Sequence, residues 1–318
     1  MVGRRKLNEF KVGELFIAFF LIRKVECKTT GSGNKYLDIL LGDSSGEIVA
    51  RFWDCSPEDE GQFGSNMLVK VKGSVVEWQG KKQVKIDKIR PVIEEDGVDI
   101  KEYIPVAPYA PEEMYEELNG YALKIKNQKL KKMVQLIIAE SGERLLIHPA
   151  AVQNHHSLRS GLLYHTLTML KAGEKLTEVY TFLDKDLLFA GIILHDMAKL
   201  EEIDANQLGL ATEYTTEGQL LGHIVQGIKR IGKASRSVGL DVETSILLEH
   251  MLLSHHYEPE FGSPKRPMFP EAEVLHYLDI LDARMYDMQK ALGEVQPGEF
   301  TDRLWTLNNR RLYKREIN

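Results

Sequence analysis

The apolar residues of this chain change their spacing once, and the change falls at a cluster of prolines. Between residues 12 and 90 they come in short runs: "LFIAFFLIRKVECKTT", "YLDILLGDSSGEIVARFWD", "MLVKVKGSVVEW" and "QVKIDKIRPV". The runs are separated by turn-prone "GSGNK", by Gly42-Asp43-Ser44-Ser45-Gly46 and by "QGKK". About five short strands in so few residues predict a small closed or partly closed β-barrel. Pro91, Pro105, Pro108 and Pro111 follow, mixed with the acidic "EEDGVD". Proline fixes its own backbone and turns the preceding residue away from helix. A linker is therefore expected at 91–111, between a β domain at 1–90 and a second domain at 112–318. From residue 112 the spacing is three and four, as in "KLKKMVQLIIAES" and "GLLYHTLTMLKAGEKL", which predicts helices. A chain that switches period this way is neither a single sheet nor a single bundle.

Charge and histidine divide the chain at a similar place. The net charge is -6, from 41 Lys+Arg and 47 Asp+Glu. Residues 1–90 hold 16 basic and 12 acidic residues, a balance of +4, which leaves 25 and 35, a balance of -10, for the remainder. A basic module joined to an acidic one fits nucleic-acid binding beside a metal-rich site. No apolar run approaches the ~18 residues that span a bilayer. Two cysteines, Cys27 and Cys55, build neither a disulfide framework nor a thiolate metal site, which points to a reducing, cytoplasmic setting.

All ten histidines lie between His148 and His276. The stretch "GIILHDMAKL" places His195-Asp196 at the end of an apolar run, with Lys199 beyond it. His165 stands 30 residues earlier; His223 and His255-His256 follow after gaps of 28 and 32, and Asp279 after a further 23. Each gap fits one helix and a connection. Ligands supplied one or two per helix and converging in a bundle are how helical proteins build metal sites. Imidazole with carboxylate, and no thiolate, suits Mn, Fe, Zn or a similar divalent ion.

Here the sequence resembles a known family. His165, His195-Asp196 and Asp279 match the H…HD…D signature of the HD phosphohydrolase superfamily. "HHSLRSGLLYHT", "ILHDMAKL", "GHIV", "SHHYEPEFGSP" and "LHYLDILDARM" together are similar to the YhaM-type 3′–5′ exoribonucleases, an OB-fold barrel followed by an all-α HD-domain bundle. The resemblance spans nearly the whole chain. It implies that His165, His195, Asp196 and Asp279 hold one divalent ion. His223, His255 and His256 would hold a second, with Asp196 bridging. Mn²⁺ is the expected metal, with Fe²⁺, Co²⁺ or Mg²⁺ as alternatives. Related proteins often carry a glutamate one turn before the first histidine; Gly161 stands there, against a third ion. Ala198 replaces the usual glycine of the HD-x-G-K pattern.

The implied activity is metal-dependent 3′–5′ hydrolysis of single-stranded RNA, or single-stranded DNA, to nucleoside 5′-monophosphates. Asp196 and Lys199 are the catalytic candidates. Lys199, read as one turn after His195 on the same helix face, would reach a phosphate oxygen. Trp53 and Trp78 near Lys81 and Lys82 suit base stacking in a basic groove, with Phe52 a core residue. Arg159, near His155 and His156, is a further nucleic-acid contact. His250, His276 and His148 read as packing or structural residues, and Asp282 as a weak ligand or an orienting group. No membrane is implied; a homo-oligomer is compatible. Two rivals stand beside this reading: a small-nucleotide phosphohydrolase, and a nucleic-acid-binding regulator with a structural metal site.

Overall fold

A computed structural model of the chain describes residues 5–43, 45–53, 55–152 and 156–316. Its contacts divide it into two units, Met1–Val106 and Ala107–Asn318. In the first, strands β1 (Leu15–Thr29), β2 (Lys35–Asp43), β3 (Gly46–Trp53), β4 (Leu68–Trp78) and β5 (Lys81–Pro91) close a barrel. The order around it is β1-β2-β3-β5-β4. β3 runs parallel to β5, and the other neighbours are antiparallel. These are the strands expected from the sequence, although Ser44 of the expected loop lies outside the described residues.

Alternation in the sequence becomes inside and outside. Phe16, Ala18, Phe20 and Ile22 of β1 point inward, while Leu15 and Ile17 are exposed. Leu37, Ile39, Leu41, Val69, Val71, Val84 and Ile86 complete the interior. Each such side chain contributes about 1.5–3 kcal/mol of burial. Gln79 and Gly80 join β4 to β5 with φ of 50° and 76°, the backbone of a two-residue hairpin turn. The sequence reading missed α1 (Pro57–Gln62), which starts at a Ser56–Asp59 capping box between β3 and β4. After β5, Asp96 accepts two hydrogen bonds from Arg90, at 2.7 and 2.8 Å, and one from Lys70 at 2.9 Å. These bonds tie the following segment to the barrel.

The second unit is helical: α2 (Pro111–Lys124), α3 (Gln128–Ile147), α4 (Gly161–Val179), α5 (Lys185–Leu194), α6 (Lys199–Glu202), α7 (Thr216–Val238), α8 (Val242–Ser254) and α9 (Pro270–Gly293). A small hairpin of β6 (Ile203–Ala205) and β7 (Ala211–Tyr214), not expected from the sequence, links α6 to α7. Every residue from Leu187 to Leu194 is buried. A helix that is apolar on all sides belongs in the middle of a bundle, and α5 packs against α2, α3, α4, α8 and α9. Asp184 caps its N-terminus, and Glu271 of α9 accepts the Asp184 N–H at 2.6 Å. The C-terminal end of α5 therefore opens into the interior, where His195 and Asp196 follow. No helix among the described residues is long and apolar enough to cross a membrane.

Candidate metal centre

α5 stops at Leu194, and residues 195–198 form a turn before α6. This corrects the expectation that His195 and Lys199 share one helix: Lys199 begins a separate turn of helix. The break lets His195, Asp196 and Lys199 all face inward. The Lys199 ammonium lies 2.8 Å from Asp196 Oδ2. The other candidates come from a mid-helix position on α4 (His165), from α7 just past a kink (His223), from the end of α8 (His255, His256) and from the middle of α9 (Asp279).

Asp196 lies between two groups. Its Oδ2 is 3.3 Å from His195 Nε2 and 3.8 Å from His165 Nε2. Its Oδ1 is 3.5 Å from His223 Nε2 and 4.0 Å from His255 Nε2. The ligand atoms of His165, His195 and Asp279 lie within 4.8 Å of one another, as do those of His223, His255 and His256. His165 Nε2 is 3.4 Å from both Asp279 Oδ1 and His195 Nε2.

The tautomers follow from the partners. The Nδ1 atoms of His195, His255 and His256 face the carbonyl oxygens of Ile192, Leu252 and Phe261 at 2.8, 2.7 and 2.6 Å. His165 Nδ1 faces Asp282 Oδ2 at 2.7 Å, and His223 Nδ1 faces Glu202 Oε2 at 3.0 Å. A carbonyl or an ionised carboxylate only accepts, so each Nδ1 carries a proton, and in a neutral ring the lone pair is then on Nε2. All five Nε2 atoms are turned toward Asp196 or its neighbours. Asp196 Oδ1, His223 Nε2 and His255 Nε2 are buried without a hydrogen-bond partner among the described residues. Buried polar atoms are rarely left so. Nitrogen and carboxylate donors of this kind, facing one another, fit a divalent cation.

The electrostatics agree. Burial pushes the His255 and His256 imidazoles down, so they are neutral, as ligands must be. Burial also acts to lower His165, but its hydrogen bonds to Asp279 and Asp282 outweigh it and push the ring up to about 10. Burial opposes ionisation of Asp196, yet the Lys199 ammonium, with the His195 ring beside it, holds it far below the usual carboxylate range. Asp279 is held low in the same way, against burial, by His165.

Asp282 supports the centre from behind. Its Oδ2 accepts from both His156 Nε2 and His165 Nδ1, each at 2.7 Å, and these bonds outweigh burial and bring it to about 2. It thus orients His165. His276 Nδ1 bonds the His255 carbonyl at 2.7 Å and its ring stacks on Tyr257, which fixes the turn that carries two of the imidazoles. His250 accepts the Met268 N–H at 3.1 Å, and His148 joins the carbonyls of Pro149 and Ile203 at 2.9 and 3.1 Å. His155 lies outside the described residues. Arg159 donates to the Gln207 carbonyl at 3.0 Å.

The backbone accounts for the residues at positions 161 and 198. A Cβ on Gly161 would lie 2.0 Å from the His156 carbonyl oxygen, so no side chain fits there. Ala198 has φ -78° and ψ -3°, a conformation open to any L-residue, so no glycine is needed.

On the barrel, Trp53 stacks on Tyr36 across the β2–β3 pair at 4.7 Å, and the Arg51 guanidinium lies 5.9 Å from the Trp53 ring. Trp78 is 58% exposed and pairs with Lys81 across the turn. Lys82 bonds the Phe10 carbonyl at 3.3 Å, and Phe52 packs on the barrel core. Tyr36 was missed because only the strand register brings it beside Trp53. Glu202 was missed because "KLEEID" reads as an ordinary charged surface.

Comparison with known proteins agrees with this anatomy. Residues 21–92 match the OB-fold nucleic acid binding domain family, and residues 162–284 match the HD domain family. The class is an OB-fold module followed by an HD domain. A domain of replication protein A from Methanococcus maripaludis aligns with 28% of this chain and 93% of its own length, at 18% identity and TM-score 0.24. The 3′-5′ exoribonuclease YhaM of Halalkalibacterium halodurans is 41% identical over 310 residues, covering 98% of this chain and 96% of that protein. The protein of the same name from Shouchella clausii is 41% identical over 308 residues, 97% of this chain and 96% of its own. The chain belongs to the YhaM family.

Proposed function

We propose that the protein is a metal-dependent 3′–5′ exonuclease that shortens single-stranded RNA, and single-stranded DNA by the same grip, releasing nucleoside 5′-monophosphates. The observation that carries this reading is the placement of Asp196, one oxygen toward each of two imidazole groups. His165, His195, Asp196 and Asp279 would hold one ion. His223, His255 and His256, with Asp196, would hold the other, Mn²⁺ being the metal expected at both. Bound there, a pair of divalent ions activates water and stabilises the charge that develops at phosphorus.

The chain's own residues do the rest. Lys199 uses one N–H on Asp196 and keeps two for a phosphate oxygen. Asp282 and Glu202 hold the rings of His165 and His223 in the productive tautomer. Burial of His195 and His255, which have no accessible surface, keeps bulk water from the inner faces of the centre. In the barrel, Trp53 on Tyr36 and exposed Trp78 offer stacking faces beside Arg51, Lys81 and Lys82, a pattern suited to unpaired bases. Both cysteines are free thiols, which supports a cytoplasmic setting.

The test uses the full chain with Mn²⁺ and 5′-labelled single-stranded RNA. Stepwise shortening is expected, blocked by a 3′-terminal phosphate and stalled at a stable hairpin. Internal cuts at early times would replace this reading with an endonuclease. Intact polymer with turnover of mononucleotides would replace it with a small-nucleotide phosphohydrolase.

A further inference from the structure

The two halves of the centre are unequal in charge. The half at His165 and His195 has the Asp279 carboxylate within 3.4 Å and Asp282 behind the His165 ring. The half at His223, His255 and His256 consists of three imidazoles. Among the described residues the carboxylate that reaches their Nε2 atoms within 4.0 Å is Asp196, through Oδ1, and the Asp279 charge acts on His255 and His256 from farther away. The charge on Asp196 is already shared with Lys199, 2.8 Å away. Three neutral rings bring no negative charge of their own to a dication.

Glu202 supplies what this half lacks. Its Oε2 accepts from His223 Nδ1 at 3.0 Å, and its Oε1 accepts the His223 backbone N–H at 3.1 Å. The second bond exists because of a kink. Gly222 has φ 67° and ψ 164°, a left-side backbone that breaks the helical ladder of α7 and leaves the His223 N–H without an intrahelical acceptor. The Glu202 side chain is 12% exposed and that of His223 10% exposed, so little solvent screens the pair. The segment between them is closed by further bonds: Thr215 donates its N–H to the Glu202 carbonyl at 2.9 Å and its hydroxyl to the Glu201 carbonyl at 2.7 Å. α6 is thus a single helical turn with Lys199 on Asp196 at one end and Glu202 on His223 at the other.

We infer that Glu202 is a positioning residue that selectively sets the occupancy of the His223–His255–His256 half of the centre. The inference rests on the two-ion reading above. A carboxylate behind a ligating imidazole fixes its tautomer and raises its basicity, and losing such a partner weakens metal binding by about 10- to 100-fold. The loss should fall on one ion of the two.

The experiment measures metal content of the full chain, stripped and reloaded with Mn²⁺, by titration and elemental analysis after desalting. Wild type should hold two ions. Glu202→Gln should keep one at unchanged affinity and bind the other about 10- to 100-fold more weakly. Glu202→Asp, which keeps the charge on a shorter arm, should recover part of that loss, a recovery that damaged packing would not give. His223→Ala should lose the same ion, and adding Glu202→Gln to it should lower binding little further, because the two act on one site. Equal weakening of both ions in Glu202→Gln, or two ions at wild-type affinity, overturns the inference while leaving the two-ion reading intact. A wild-type protein that holds fewer than two ions overturns that reading and the inference with it.

Discussion

The two units of the molecule place their chemistry in opposite ways. The barrel core is built of apolar side chains, and the aromatic and basic groups suited to a nucleic-acid strand lie on its outside. The helical unit encloses His165, His195, Asp196, His223, His255 and Asp282 within its interior. A stacking residue on a surface has few neighbours, so a substitution there changes binding and little else. A buried carboxylate is held by imidazoles and an ammonium, so a substitution there changes charge balance, metal binding and packing together. The contrast separates a part that can be tuned from a part that must be kept whole.

The strongest challenge to this contrast is Asp196→Asn. Hydrolysis should vanish and both ions should be lost. The variant should also be less stable by roughly 3–5 kcal/mol if the buried ammonium of Lys199 is left uncompensated. Metal analysis, a labelled-RNA gel and denaturant unfolding read the three effects. A variant that keeps either ion at full affinity would contradict the role proposed for Asp196 at both.

The next concerns pH. His165, pushed up to about 10, carries a proton at neutral pH in the metal-free protein. An ion must displace it, so metal affinity should rise with pH until about 10 and fall below that by roughly tenfold per unit for this one proton. Calorimetry in buffers of different ionisation enthalpy should count the proton released. Affinity that is flat between pH 6 and 9, on the order of neutral conditions, would show that His165 enters the site neutral.

On the barrel, Trp78→Ala and Trp53→Ala should each weaken binding to single strands by about 1–3 kcal/mol. Stability should stay within about 0.5 kcal/mol, and hydrolysis of a small phosphodiester should be unchanged. Loss of the small-substrate activity would join what the comparison separates. The smallest effect belongs to Ala198→Gly. The backbone needs no glycine, so activity should not change and stability should fall by about 0.4–1 kcal/mol through the extra freedom of the unfolded chain.

Much of this was legible in the sequence because period and composition are local. Strands β1 to β5 follow from alternation and turn residues, and the helices from three- and four-residue spacing. The convergence of His165, His195, Asp196, His223, His255, His256 and Asp279 was legible from one-helix spacing, and their separate roles only through a family signature. The groups behind them were not. Glu202 meets His223 across 21 residues and a kinked helix, and Asp282 reaches His156 across 126. Nothing in a run of letters distinguishes such carboxylates from solvated ones. The end of α5 at Leu194 was hidden for a similar reason: "HDMAKL" has good helix formers, and the turn there is set by the buried partners of His195 and Asp196.

The close approach at Gly161 also limits the evolutionary routes open to the protein. The obstacle there is backbone, and that backbone is itself fixed, since the Ala150 N–H bonds the same His156 carbonyl at 3.1 Å. No single codon change at position 161 can bring an acidic side chain to this end of the centre. A descendant that placed a carboxylate there would first have to rebuild the loop ahead of α4. The set of side chains at this end of the centre is in this sense inherited with the loop, and it is insulated from point mutation at position 161.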